Sequence, residues 1–142
     1  MTQTFEYKQS YHLNPALTDP ATRTLNSDKL TGRWMNTDPG TTGLAEILIE
    51  RDGDDFKVSA VGVGSEGSIA WPVTKATPLA NLEEEAGQRA LALAVTFKFS
   101  FMTAETYLRV NKGVLVIVLF CTFTDDSGRS NYVNREFFYR RV

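Results

Sequence analysis

Cysteine occurs once, at Cys121, and histidine once, at His12, in a chain of 142 residues. A lone cysteine cannot close an intrachain disulfide, so a disulfide framework is excluded and a reducing compartment is expected. With a single imidazole there is no His-rich metal site, and a His-based triad inside the core has no base. Long apolar runs are missing too: nothing approaches the roughly 18 apolar residues of a membrane helix. The opening stretch MTQTFEYKQSYHLNPALTDP lacks the apolar segment of a secretory leader. Together these absences predict a cytoplasmic protein. Neither sign of charge is in excess, with 15 Lys and Arg against 17 Asp and Glu, net −2. The basic residues are scattered until the last few positions, so nucleic acid and anionic membranes are poor partners. No spacing of ligating or phosphate-cradling residues calls for a metal or a cofactor. A sustained 3.6-residue apolar period is also absent, apart from a weak trace around 81–87.

What is present is regular punctuation. Turn-forming clusters fall at Asp38-Pro39-Gly40, Asp52-Gly53-Asp54, Gly64-Ser65-Glu66-Gly67, Asn111-Lys112-Gly113 and Asp125-Asp126-Ser127-Gly128. Between them the chain predicts eight strands, near 31–37, 43–51, 55–63, 68–76, 89–101, 104–111, 113–124 and 130–141. Alternation supports them: Leu91, Leu93, Val95, Phe97, Phe99 and Phe101 share one face, and small or polar residues share the other. Eight antiparallel strands joined by short loops remove their edges by closing on themselves. The predicted fold is all-β, an eight-stranded antiparallel up-and-down β-barrel over 30–142. It is preceded by an extended N-terminal arm over 1–29, whose Phe5, Tyr7, Tyr11 and Leu13 share a parity. Strand 113–124 departs from the alternation. Val114, Val116, Val118 and Phe120 make its second face as apolar as the first, and a barrel strand has only one inside. A homo-oligomer that covers this dry stripe is therefore expected.

Gly32-Arg33-Trp34-Met35-Asn36 opens the first strand and resembles the G-x-W start of the calycin superfamily, which includes lipocalins, fatty-acid-binding proteins and avidins. The avidin form, G-x-W-x-N, is the nearest. The resemblance covers roughly 30–142 and implies that Trp34 plugs the closed end of the barrel under a basic residue of the last strand, Arg140 or Arg141. It does not extend to biotin. Avidin-like sites use several tryptophans and a first-loop hydroxyl, whereas this chain has only Trp34 and Trp71 and places Gly40 where that serine would come.

If Trp34 closes one end, the loops 38–43, 64–67, 102–103 and 125–129 surround an open mouth. The residues expected to line a pocket there are Asn36, Asp38, Phe97, Phe99, Phe101, Tyr132 and Asn134, with Leu91 and Ile47 deeper and Arg129, Glu66 and Glu105 near the rim. An apolar cup with a few polar groups at its opening suits a small, largely apolar molecule. The alternative is a cofactor-independent isomerase or cyclase, with Asp38 or Glu105 moving a proton and Tyr107 or Tyr132 donating a hydrogen bond. A third reading is a solid barrel that acts through its outer surface as an oligomeric interaction module. Plainer roles compete at each position. Asn36 and Asn134 can satisfy backbone groups, Asp38 can be a turn residue, Cys121 inert core, and Asp52, Asp54 and Asp55 a hairpin. The last is favoured over a calcium loop because Phe56 stands where a ligand oxygen would be needed.

Overall fold

The computed structural model describes residues 29–80 and 90–142. The arm expected upstream of Lys29 and the acidic loop 81–87 lie outside the described residues. Within them the chain forms nine strands and no helix: β1 (Gly32–Asn36), β2 (Leu44–Asp52), β3 (Asp55–Gly64), β4 (Gly67–Ala70), β5 (Thr74–Ala80), β6 (Ala90–Lys98), β7 (Met102–Asn111), β8 (Val114–Phe123) and β9 (Tyr132–Arg140). All pairings are antiparallel, consecutive strands are neighbours except β4 and β5, which both pair β3, and β1 pairs both β2 and β9. The sheet is therefore a closed eight-stave barrel.

The stave expected at 68–76 is two strands. β4 pairs the Val61–Gly64 end of β3, and β5 pairs its Phe56–Val58 end along the same edge. They are separated at Trp71-Pro72-Val73, because Pro72 has no N–H to give a ladder and its ring restricts the residue before it. Trp71 still donates its own N–H to the Ala60 carbonyl at 2.8 Å, so the stave bends without coming away.

Alternation puts one row of the long strands inside, with a bulge between Leu44 and Glu46 shifting it once on β2. On β7 the inner row is Met102, Ala104, Thr106 and Leu108, and on β8 it is Leu115, Ile117, Leu119 and Cys121, all buried. Near the closed end Phe56, Leu93, Leu108, Leu115, Ile117 and Phe138 occupy the barrel axis. Each such side chain contributes about 1.5–3 kcal/mol of hydrophobic stabilisation.

The plug is built as the sequence implied. Trp34 is 1% exposed, its indole N–H donates to the Leu30 carbonyl at 2.9 Å, and the Arg140 guanidinium lies 4.8 Å from the ring centroid. Gly32 has φ +132°, a backbone conformation open to glycine and strained for other residues, which explains the first position of the motif. The register Trp34↔Arg140 brings the indole and its cover together. A hydrogen bond of 2.8 Å from the Arg141 N–H to the Arg33 carbonyl extends the seam.

The outer row of β8 is as dry as expected. Val114, Val116 and Val118 are half-buried and Phe120 is exposed. They run alongside exposed Tyr107 of β7 and Val133, Phe137 and Tyr139 of β9.

Candidate functional site

Four connections ring the open end: 37–43 between β1 and β2, 65–66 between β3 and β4, 99–101 between β6 and β7, and 124–131 between β8 and β9. The strand ends beneath them carry aromatics that touch in sequence. Trp71 meets Phe97 edge-on at 5.1 Å and Phe99 edge-on at 5.0 Å, and Phe99 meets Phe101 at 5.4 Å. Arg129 closes the far side of the rim, 4.3 Å from the Phe123 ring and 5.4 Å from Phe101. It is fixed there by Asp125 at 2.6 Å. Hydrogen bonds from Ser127, then the Arg129 guanidinium, hold the Asp125 carboxyl below the usual carboxylate range.

The opposite wall is polar and centres on Glu136. β9 turns Tyr132, Asn134, Glu136 and Phe138 to one side, and Glu136 is half-buried at the level of the first loop. Its Oε1 accepts from the Asn36 amide at 3.1 Å and the Thr41 hydroxyl at 2.5 Å, and its Oε2 from the Leu44 N–H at 3.0 Å. The loop reaches the carboxylate because Gly43 has no side chain: a Cβ there would sit 2.6 Å from both carboxylate oxygens. Asn36 completes the clasp by donating to the Leu44 carbonyl at 2.8 Å while its own oxygen accepts from the Asp38 N–H.

Two cavities meet at this wall. An open cleft of about 620 Å³ lies between the first loop and β9, lined by polar groups from Asn36 to Gly43 and from Tyr132 to Phe137. An inner recess of about 150 Å³ runs toward the barrel axis against Leu44, Ile69, Trp71 and Leu119. Thr42, Gly43, Tyr132, Asn134 and Glu136 border both.

No family model matches the chain. No curated protein matches it either.

The expected pocket residues separate into three groups. Asn36, Asp38, Tyr132 and Asn134 all border the cleft, and Asn36 and Asp38 do so as parts of the loop architecture. The Asp38 carboxylate accepts from the Gly40 N–H at 2.9 Å in an Asx turn. Phe97 is fully buried beneath Trp71, Phe99 is half-buried beside it, and Phe101 is exposed at the rim because β6 ends at Lys98 and the alternation ends with it. Glu105 and Tyr107, named for proton transfer and hydrogen-bond donation, are on the outside of the barrel. Their strand neighbours Ala104, Thr106 and Leu108 take the inner positions, so neither side chain faces the mouth. Glu66 is exposed in the 65–66 connection.

Glu136 and Trp71 are the site residues that sequence reading did not single out. Glu136 reads as one more charge beside Arg135, and only its parity with Phe138 and Asn134 marks it as inward. Trp71 sits before a proline in a segment without clean alternation.

Tyr132 faces Cys121 directly across the β8–β9 pair. Partial burial, then the hydrogen bond to Cys121 and the nearby Glu136 carboxylate, push the Tyr132 phenol up to about 12. Burial likewise raises the Cys121 thiol, although its bond with Tyr132 acts in the opposite sense. Both therefore remain protonated at neutral pH, and the mouth offers a phenolic donor and a fixed carboxylate acceptor. Among the described residues no group of three His, Cys, Asp or Glu side chains is placed to hold a metal ion.

Proposed function

We propose that the chain is a calycin-like binding barrel that takes a small, largely apolar molecule at its mouth. The observation that carries this is the shared border of the two cavities. The recess has one apolar wall, of Leu44, Ile69, Trp71 and Leu119, but holds only about 150 Å³, less than the ~300–1,000 Å³ of ordinary ligand pockets. An occupant of usual size would keep an apolar end against Trp71 and Leu119 and leave its remainder in the polar cleft beside Tyr132, Asn134 and Glu136. The fully buried side chains lower in the barrel argue for a site confined to the mouth rather than one running down the axis.

The test uses the neutral fluorophore N-phenyl-1-naphthylamine with the full-length protein. The expected result is saturable one-to-one binding with a blue-shifted emission, abolished in Trp71→Ala and retained in Lys57→Ala at the distant end. No saturable binding, or binding indifferent to Trp71, would sink the proposal.

The isomerase or cyclase reading rests on one observation: a phenol that stays protonated and a carboxylate share one wall of the cleft. In that reading Tyr132 donates to a substrate oxygen and Glu136 is the basic group, while Glu105 and Tyr107 take no part. Glu136 already accepts three hydrogen bonds from the first loop and its flanking strands, so its oxygens are committed to holding that loop and binding without chemistry is preferred.

A further inference from the structure

The register of β7, β8 and β9 lays out the outer face as rows. Tyr107, Val118 and Arg135 form one row. Glu105, Phe120 and Val133 form the row nearer the mouth, and Arg109, Val116 and Phe137 the row nearer the closed end. Phe120 and Tyr107 touch edge-on at 6.3 Å, and the Arg135 guanidinium lies over Phe137 at 5.4 Å. Val133 is 62% exposed and Tyr139, one row beyond Phe137, 52%. The neighbouring outer row of β6 adds Ala92, Ala94 and Thr96, whose short side chains keep the surface low.

Three charges interrupt this dry face: Arg135 lies over Phe137, and neither Glu105 nor Arg109 makes a salt bridge with any described residue. The latter two stand symmetrically, each two positions from Tyr107 on one strand. From this arrangement we infer that the face docks a second copy of this chain about a two-fold axis lying along the Tyr107–Val118–Arg135 row.

A two-fold contact sets the same patch on itself, with residue i on j and j on i. An axis along the middle row lays the row nearer the mouth on the partner's row nearer the closed end. Glu105 then meets the partner's Arg109, twice over, and Phe120 meets the partner's Val116. Val133 meets the partner's Phe137, and Val118 meets its own copy. Two unpaired charges become two ion pairs at the margin of an apolar centre, the arrangement of a specific interface. Arg135 falls on the axis opposite its own copy, the single repulsive element. Arg135 and Phe137 also border the cleft at the mouth, so docking would give that cleft a further wall. The inference does not depend on the cleft binding anything.

The experiment is sedimentation velocity over a concentration series on the full-length chain and three variants: Glu105→Arg, Arg109→Glu and the double exchange. The expected result is a wild-type dimer, with each single variant associating about tenfold more weakly or worse because like charges now face each other. The double exchange should return association to near the wild-type level, which a merely structural role for either residue would not do. Arg135→Leu should tighten the dimer. Glu105, Arg109 and Arg135 are all on the outer face, so unchanged circular dichroism shows that the barrel is intact. A monomer at every concentration would overturn the inference. So would single variants that associate like wild type, or a double exchange that fails to recover.

Discussion

Replacing Glu136 by Ala removes the acceptor for the Asn36 amide, the Thr41 hydroxyl and the Leu44 N–H in one step. The expected destabilisation is about 1–3 kcal/mol, since half-buried donors lose a charged partner, and urea unfolding monitored by circular dichroism measures it. Gly43→Ala should cost a similar amount for the opposite reason, because its methyl enters the space the carboxylate holds. Combined, the two should cost clearly less than their sum, since a shortened residue 136 no longer meets that methyl. Trp34→Ala should cost roughly 3–5 kcal/mol, the range for emptying a large core aromatic site; a loss under about 1 kcal/mol in the same assay would contradict its role as plug. Tyr132 gives a prediction in pH. Its phenol titrates at about 12 in the folded chain against 10.0 ordinarily. Between those values the unfolded chain has lost the proton and the folded chain has kept it. Stability should therefore fall as pH rises through that window, and Tyr132→Phe should flatten the slope. At this scale the sequence was readable where one residue type has one reason. Gly32, Trp34 and Arg140 each fill a position that φ, volume or cation–π geometry restricts. Glu136 was not readable, because its importance comes from a loop folded over it whose path depends on Gly43.

The staves differ in how firmly they are tied. β7 and β8 pair without interruption from Met102↔Phe123 to Asn111↔Val114. β5 meets β3 only at Phe56, Lys57 and Val58, and Pro78 gives its β6 ladder no N–H. Amide hydrogen exchange should accordingly be slowest in β7 and β8 and faster in β5, since local opening follows the weakest set of neighbours. Equal protection around the barrel would show that closure is uniformly cooperative. The strand positions were legible because Asp, Gly and Asn clusters punctuate a clear two-residue period. Two element-level details were hidden. The stave at 68–76 is cut by Pro72, which the apolar pattern alone does not reveal. Phe101 keeps the parity of Phe97 and Phe99, yet the strand ends before it and the parity loses its meaning.

Taken whole, the barrel is dominated by contacts distant in sequence, and its decisive pairing joins β1 to β9. Such topologies fold slowly, since the entropy of closing a long loop is spent before the contacts reward it. Stopped-flow refolding followed by tryptophan fluorescence should show a phase on the order of milliseconds to seconds, and completion in microseconds would argue against a closed ring. The cylinder itself was the most legible part of the molecule, because closure follows from strand number, short connections and the two-residue period. Its degree of filling was not legible, because volume depends on how Trp71, Phe97 and Leu119 interlock across staves far apart in sequence.

The seam between β1 and β9 also orders events in time. While a ribosome is still making the chain, the indole of Trp34 has no guanidinium to cover it and Asn36 no carboxylate to grip until residues through Arg140 have emerged. Until then β1 and β8 each expose an unpaired edge to other nascent chains. Maturation of this protein is thus obligatorily late, and a chaperone that shields strand edges would matter most in the interval just before the last stave arrives.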